Sequence, residues 1–190
     1  MNLSRTIIKL FVIMLIGGLS ALAQTPGNTK HFAKDGLVFD YPDSWTLEDK
    51  SNADAQLLTF ARPDNGAQIS LFVHRGHMTA EKLPDARKAF IDPYLDSTFK
   101  SFEQMGAKPV RSDASTEIAG AKADGVRIRA VLDDGAGEAT IYWAVVGQRA
   151  VMLTFFGPDK ALKEAAPAWD TIRTSLHVEE TKPAAKPTPK

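Results

Sequence analysis

The sequence predicts an α+β fold in which hairpin-linked antiparallel strands carry the core and two helical regions pack against them. Three observations lead there. Gly125-Val-Arg-Ile-Arg-Ala-Val-Leu132 is apolar at 126, 128, 130 and 132 with arginines at 127 and 129, the alternation of a half-buried strand. Two further apolar runs, 140–146 and 150–156, follow across the turn-forming stretches Asp133-Asp-Gly-Ala-Gly137 and Gly147-Gln148, so three successive strands form a meander. Helical spacing of apolar residues over 83–105, and again at Trp169, Ile172 and Leu176, supplies the α component.

Taken in chain order, Leu37, Phe39 and Tyr41 share one face of a strand that follows the Asp35-Gly36 turn and stops at Pro42-Asp43-Ser44. The runs 57–60 and 69–73 flank Pro63-Asp-Asn-Gly66, where Asn65-Gly66 is expected to supply the positive φ of a tight hairpin. Over 83–105 the apolar arc spans about 220°, against about 100° for a simple surface helix. Asp92-Pro93 suggests why: an Asp cap with Pro at the first helical position starts a new helix, and Pro disfavours helix at the residue before it. The expectation is a short helix near 84–91, a bend, then a longer helix over 93–105 ending at Gly106. A last helix starts near Pro167, with a weaker helical turn over 159–165.

The ends of the chain read differently. Met1 to Lys9 carries two positive charges and no acid, 10–19 is a ten-residue apolar run, and Ser20-Ala-Leu-Ala23 offers small side chains to a signal peptidase. Ten apolar residues are too few to span a bilayer, so 1–23 is expected to be a cleaved secretory signal with no stable membrane anchor left behind. The mature protein is then expected in the periplasm or outside the cell. Residues 24–30 form a polar lead-in. Residues 179–190 hold three prolines and no large apolar side chain, the composition of a disordered tail. A single domain over 31–178 remains, long enough to bury roughly 70% of its unfolded surface.

Composition excludes several functions. Of 23 basic and 23 acidic side chains, Arg5 and Lys9 leave with the signal, so 21 face 23 and the mature surface has no general attraction for nucleic acid. The chain has no cysteine, which removes disulfides, thiolate metal sites, a cysteine nucleophile and a lipid-acceptor cysteine.

The order of elements, with Phe39-Asp-Tyr-Pro-Asp-Ser-Trp45 early and Trp169-Asp-Thr-Ile-Arg-Thr-Ser-Leu176 at the end of the meander and helix, resembles the PsbP-like superfamily. That group includes the extrinsic photosystem II subunit, a Ran-binding import factor and bacterial DcrB-type envelope proteins. The resemblance covers about 32–178. It implies a central antiparallel sheet of about seven to eight strands with helices on both faces, an α/β/α sandwich, and an accessory binding role rather than catalysis. No ligand residue carries over from it.

Few residues suggest chemistry. His74 and His77 flank Arg75-Gly76, and a turn there could bring both imidazoles to one zinc or copper ion, although no third ligand stands nearby; exposed loop histidines are the plainer reading. Asp133, Asp134 and Glu138 could gather around calcium, but Asp-Gly is ordinary hairpin vocabulary. Tyr41 and Trp45 read as rings closing the end of the sheet rather than as a sugar platform. The meander gives the most specific expectation. If 143 faces 152 and the 133–137 loop closes symmetrically so that 127 faces 143, then Arg127, Arg129, Trp143 and Met152 share one face, the composition of a protein-binding hot spot. The alternative is that a helix covers that face and Arg127 stacks on Trp143. The functional expectation is an exported, non-catalytic accessory protein with an envelope protein as partner and no cofactor. A small-ligand or metal-binding periplasmic protein is the alternative, and a hydrolase the third reading.

Overall fold

The computed structural model describes residues 28–132 and 135–179. The expected signal over 1–23 and residues 180–190 of the expected tail lie outside them. Strands are numbered in chain order. A seven-stranded sheet runs β3 (Thr46–Asp49), β4 (Ala55–Arg62), β5 (Asn65–His74), β9 (Arg149–Pro158), β8 (Gly135–Val146), β7 (Ala121–Leu132), β6 (Val110–Ile118), with every neighbouring pair antiparallel. A separate three-stranded sheet runs β1 (Thr29–Lys34), β2 (Leu37–Pro42), β10 (His177–Val178). The 37–41 strand therefore belongs to the small sheet and not to the central one. Asp35 at φ 53° and Gly36 at φ 75° make the two-residue turn joining β1 to β2, a conformation matched to the right-handed twist of a hairpin. β1 begins inside the expected lead-in; its side chains are almost all exposed, so it carries no alternation to read.

Central strands are buried on both sides. Leu58, Phe60, Ile69, Leu71 and Leu153 pack with Leu162, Ala165, Trp169 and Ile172 of helix α3 (Asp159–Ser175). Ile128, Ile141, Trp143 and Met152 pack with Ile91, Leu95 and Phe102 of the mid-chain helix. Adjacent residues such as Tyr142 and Trp143, or Met152 and Leu153, fall in different clusters, as the two-residue period of a strand requires.

The mid-chain helix does not bend at Asp92. It passes from α1 (Leu83–Ala86) through a π turn (Arg87–Ile91) into α2 (Asp92–Gln104), with Asp92 itself helical at φ −60°, ψ −43°. Pro93 has no N–H and its ring would strike the carbonyl one turn back; a widened turn, in which the Asp92 N–H bonds to the Arg87 carbonyl, absorbs the misfit. Asp92 is accordingly no cap and instead accepts a hydrogen bond from Arg87 Nε at 3.0 Å. α2 closes where Gly106 takes φ 84°. α3 starts at Asp159, well before Pro167, which sits exposed inside it. The carbonyl that Pro167 leaves unpaired thus faces solvent, and the small Ala161, Ala165 and Ala168 lie against the sheet.

The hairpin after β4 pairs Arg62 with Asn65, so Pro63-Asp64 make the turn and Asn65 and Gly66 belong to β5. Asn65 is buried instead: its Oδ1 accepts the Ala67 N–H at 2.8 Å and its Nδ2 donates to the Ala161 carbonyl at 3.3 Å, tying the hairpin to α3.

Polar contacts join the two sheets. Gln56, fully buried, donates to the Lys34 carbonyl at 2.9 Å and accepts from Arg149, which also donates to the Asp35 carbonyl at 3.0 Å. Lys34 Nζ donates to Asp49 at 2.7 Å. That contact, with further hydrogen bonds from Ser51, holds the Asp49 carboxyl down to about 2. A carboxyl lowered on folding stabilises the native state above its unfolded pKa and stops doing so as pH falls through its folded one. The stability difference between wild type and Asp49→Asn in urea melts should therefore be present above about pH 4 and vanish toward about pH 2. A difference that persists unchanged at the acid end would place the contact outside the folded-state energetics.

Candidate functional site

The four residues expected to share a binding face do not. Trp143 pairs with Met152 as anticipated, but Leu132 pairs with Gly135, so the β7–β8 connection is two residues long and Gly135-Ala-Gly137 lies in the strand. Arg127 is consequently opposite Thr140, and Trp143 opposite Asp124. The register is displaced by an odd number of residues, which turns every side chain of one strand to the other side relative to its neighbour. Trp143 and Met152 are buried beneath α2 together with Ile128. Over the Trp143 ring lies not Arg127 but the guanidinium of Arg87, 5.2 Å from the ring centre. Arg127 and Arg129 lie on the α3 side. There Arg129 donates to Asp159 at 2.5 and 3.1 Å and to Glu138 at 3.3 Å, and Arg127 is 3.5 Å from Glu138. Asp159 thereby raises the Arg129 pKa, and the arginines brace the start of α3.

His74 closes β5 and His77 lies just beyond it. The His74 ring lies parallel to Phe90, 5.8 Å away, and its Nδ1 accepts the Gly76 N–H at 3.0 Å; His77 is exposed. Among the described residues no group of three His, Asp or Glu side chains is placed to hold a metal ion. Asp133 and Asp134 lie outside those residues, and Glu138 is engaged by the arginines and Thr140. Trp45 is buried in the α3 cluster, and Tyr41 packs against Phe39 and Phe60.

Two other features stand out. The first is an apolar end. Among the described residues the exposed large apolar side chains are Met105, Val110, Val131 and Phe156, with exposures of 51, 67, 70 and 37%. All lie where α2 ends, β6 begins, β7 turns into β8 and β9 runs out. Met105 and Phe156 line one depression with Leu132 and Pro158; Val110 and Val131 line the next with Lys108 and Arg129. The second is a groove between α2 and strands β4, β5 and β9. A cavity of about 280 Å³ lined by Leu57, Phe72 and Met152 meets another of about 230 Å³ lined by Thr98 and Phe102, and Ser70, Tyr94 and Thr154 line both.

This architecture has a known counterpart. The sequence matches no protein-family model and no curated protein. Among solved structures, the solution structure of cyanobacterial PsbP (CyanoP) from Synechocystis sp. PCC 6803 superposes with a TM-score of 0.52 at 12% identity, over 82% of this chain and 95% of that one. The fold is PsbP-like. A Bacteroides thetaiotaomicron structure (TM-score 0.48, 14% identity, 83% of this chain and 50% of that one) and a Pseudomonas aeruginosa protein of unknown function (TM-score 0.33, 13% identity, 86% and 100%) are more distant in shape. The PsbP-like resemblance read from the Trp45 corner and the Trp169–Leu176 ending thus holds at the level of fold. No helix among the described residues is long and apolar enough to cross a membrane.

Neither the apolar end nor the groove was found from sequence. Met105 read as the last turn of a helix, Val131 as one more strand residue. Thr154 offered a signal, as the lone polar residue within Val151-Met-Leu-Thr-Phe-Phe156.

With Trp143 placed under α2, Trp143→Ala should cost about 3–5 kcal/mol in urea unfolding, as large core truncations do. Arg87→Ala, which removes the cation over the ring together with its exposed contact to Asp92, should cost about 1 kcal/mol. A near-neutral Trp143→Ala would put that side chain at the surface after all.

Proposed function

We propose that this chain is a non-catalytic accessory protein of the cell envelope, exported by its leader, whose PsbP-like α/β/α sandwich docks onto another protein through its apolar end. The observation that carries this reading is the exposure of four large apolar side chains at one end of the sheet, Met105 and Phe156 on the α2 side and Val110 and Val131 beside Arg129 on the other, while comparable side chains elsewhere in the described residues are wholly or partly covered. Scattered exposed apolar residues are normal on a monomer, whereas four at one end of a sheet, on both of its faces, offer a partner an edge to clasp. Here Lys108 and Arg129 form part of the rim. The occupant that fits is a folded partner presenting apolar side chains. PsbP-like relatives acting as extrinsic subunits support the same reading by analogy of fold.

Met105→Glu and Val131→Glu test it, because both side chains are exposed and their replacement leaves the core intact. In crosslinking pull-downs from the native envelope, each should reduce recovery of the wild type's crosslinked partner by about tenfold or more, with the melting temperature unchanged. Equal recovery by both variants refutes the site. A concentration-dependent dimer of the purified protein, dissolved by the same substitutions, would make the occupant a second copy instead.

A further inference from the structure

The groove beneath α2 has a chemistry of its own, although Met105 and Phe156 of the apolar end also line the far wall of its second cavity. Its floor crosses three strands at one level: Thr59 pairs with Ser70, and Ser70 with Thr154, so three hydroxyl-bearing side chains stand in a row across β4, β5 and β9. Adjacent strands are about 4.8 Å apart, which makes the row about 10 Å long. Thr154 is the informative member. It is 4% exposed, it lines both cavities, and its hydroxyl has no hydrogen-bond partner among the described residues. The hydroxyl is open to the cavity rather than sealed in the core, so it is free to exchange hydrogen bonds with whatever fills the groove. The hydroxyl of Thr59 is also unpaired among the described residues, and Ser70 Oγ accepts only from Gln68 Nε2 at 3.1 Å, leaving its own proton to give.

Around this row the lining is apolar. Leu57, Phe72 and Met152 form the next level of the floor, and Tyr94 and Phe102 of α2 form the wall; eight residues of helix separate the last two, about 12 Å. The one carboxylate on the level of the row is Glu48, opposite Thr59 on the edge strand and outside the cavity linings. Lys50 stands at the mouth, exposed, with its ammonium 2.9 Å from Glu48, so the entrance is close to neutral. An elongated apolar slot with a central row of hydroxyls and no net charge selects against ionised ligands, whose desolvation nothing here would offset.

We propose that this groove binds an uncharged amphiphile: an apolar chain lying along α2, with hydroxyl or ester oxygens set over the Thr59–Ser70–Thr154 row. Calorimetric titration with monolauroylglycerol below its critical micelle concentration tests the site, with laurate and dodecanol as comparisons of equal chain length. The neutral glycerol ester should bind saturably with one site, and laurate at least about tenfold more weakly. Thr154→Val keeps the shape and removes the hydroxyl; it should weaken monolauroylglycerol about fivefold while leaving the melting temperature and dodecanol binding little changed. Thr59→Val, at a half-buried position, gives a second reading should Thr154→Val perturb folding. Val131→Glu, at the apolar end and lining neither cavity of the groove, should leave this binding intact, so loss of partner docking and loss of the ligand are separable. No saturable binding, equal binding of laurate, or affinity unaffected by both Val substitutions would each overturn the proposal.

Discussion

The structure depends on the register of the β7–β8 hairpin within strands that are buried on both sides. Because Leu132 pairs with Gly135, the odd and even residues of β7 and β8 are assigned to opposite clusters, and neither assignment can slip by one without exchanging core for core. In β7 alternation chooses the face, placing Val126, Ile128, Ala130 and Leu132 against α2 and leaving Arg127 and Arg129 exposed. On the other face the exposed Arg127 and Arg129 meet Glu138 and Asp159 at the start of α3. What alternation leaves open is the cross-strand partner of each residue, which the two-residue connection between Leu132 and Gly135 sets.

From that register the rest of the architecture follows. Ile128, Ile141, Trp143 and Met152 become one surface, broad enough to require α2, and the π turn before Pro93 keeps the helix continuous across it. α2 runs over the β7–β8–β9 part of the face and leaves Thr59, Ser70 and Phe72 half-buried beside it, which creates the groove. The helix stops at Gly106, close to the β7–β8 turn, and there Met105, Val131 and Phe156 run out of cover. A functional surface and a cavity thus arise at the margins of one packing solution. The small sheet packs Leu37 and Phe39, both fully buried, into the α3 cluster, and Gln56 and Arg149 add hydrogen bonds to backbone carbonyls of the Asp35 turn region.

Sequence showed the strands of the meander, the helical regions and the PsbP-like arrangement because each is written in strong periodicity: Val126 to Leu132, or Trp169, Ile172 and Leu176. It missed β1, β3 and β6 because these are polar edge or surface strands with nothing to alternate. It misplaced two turns for one reason. Asn65-Gly66 and Gly135-Ala-Gly137 are turn-forming by composition, yet Asn65 is used to hold α3 and Gly137 to let Gly157 and Pro158 approach, so tertiary contact overrode local preference. The binding face composed of Arg127, Arg129, Trp143 and Met152 failed with the second of these turns, since a three-residue error in register is also an error in facing. The groove was beyond reach in principle: a hydroxyl row across three strands is visible only after two registers are known.

Register is also the most direct thing to measure, and the absence of native cysteine makes the measurement clean. Directly opposed residues of an antiparallel pair lie about 4.5–5.5 Å apart, within disulfide reach, whereas residues three positions out of register are about 10 Å apart. The doubly substituted Arg129→Cys, Glu138→Cys chain should oxidise to an intramolecular disulfide in the folded state, detected as a two-proton mass loss, while Arg129→Cys, Ile141→Cys should stay reduced. Crosslinking of the second pair and not the first would place Arg127 beside Trp143 and contradict the two-sided core on which the groove and the apolar end both rest.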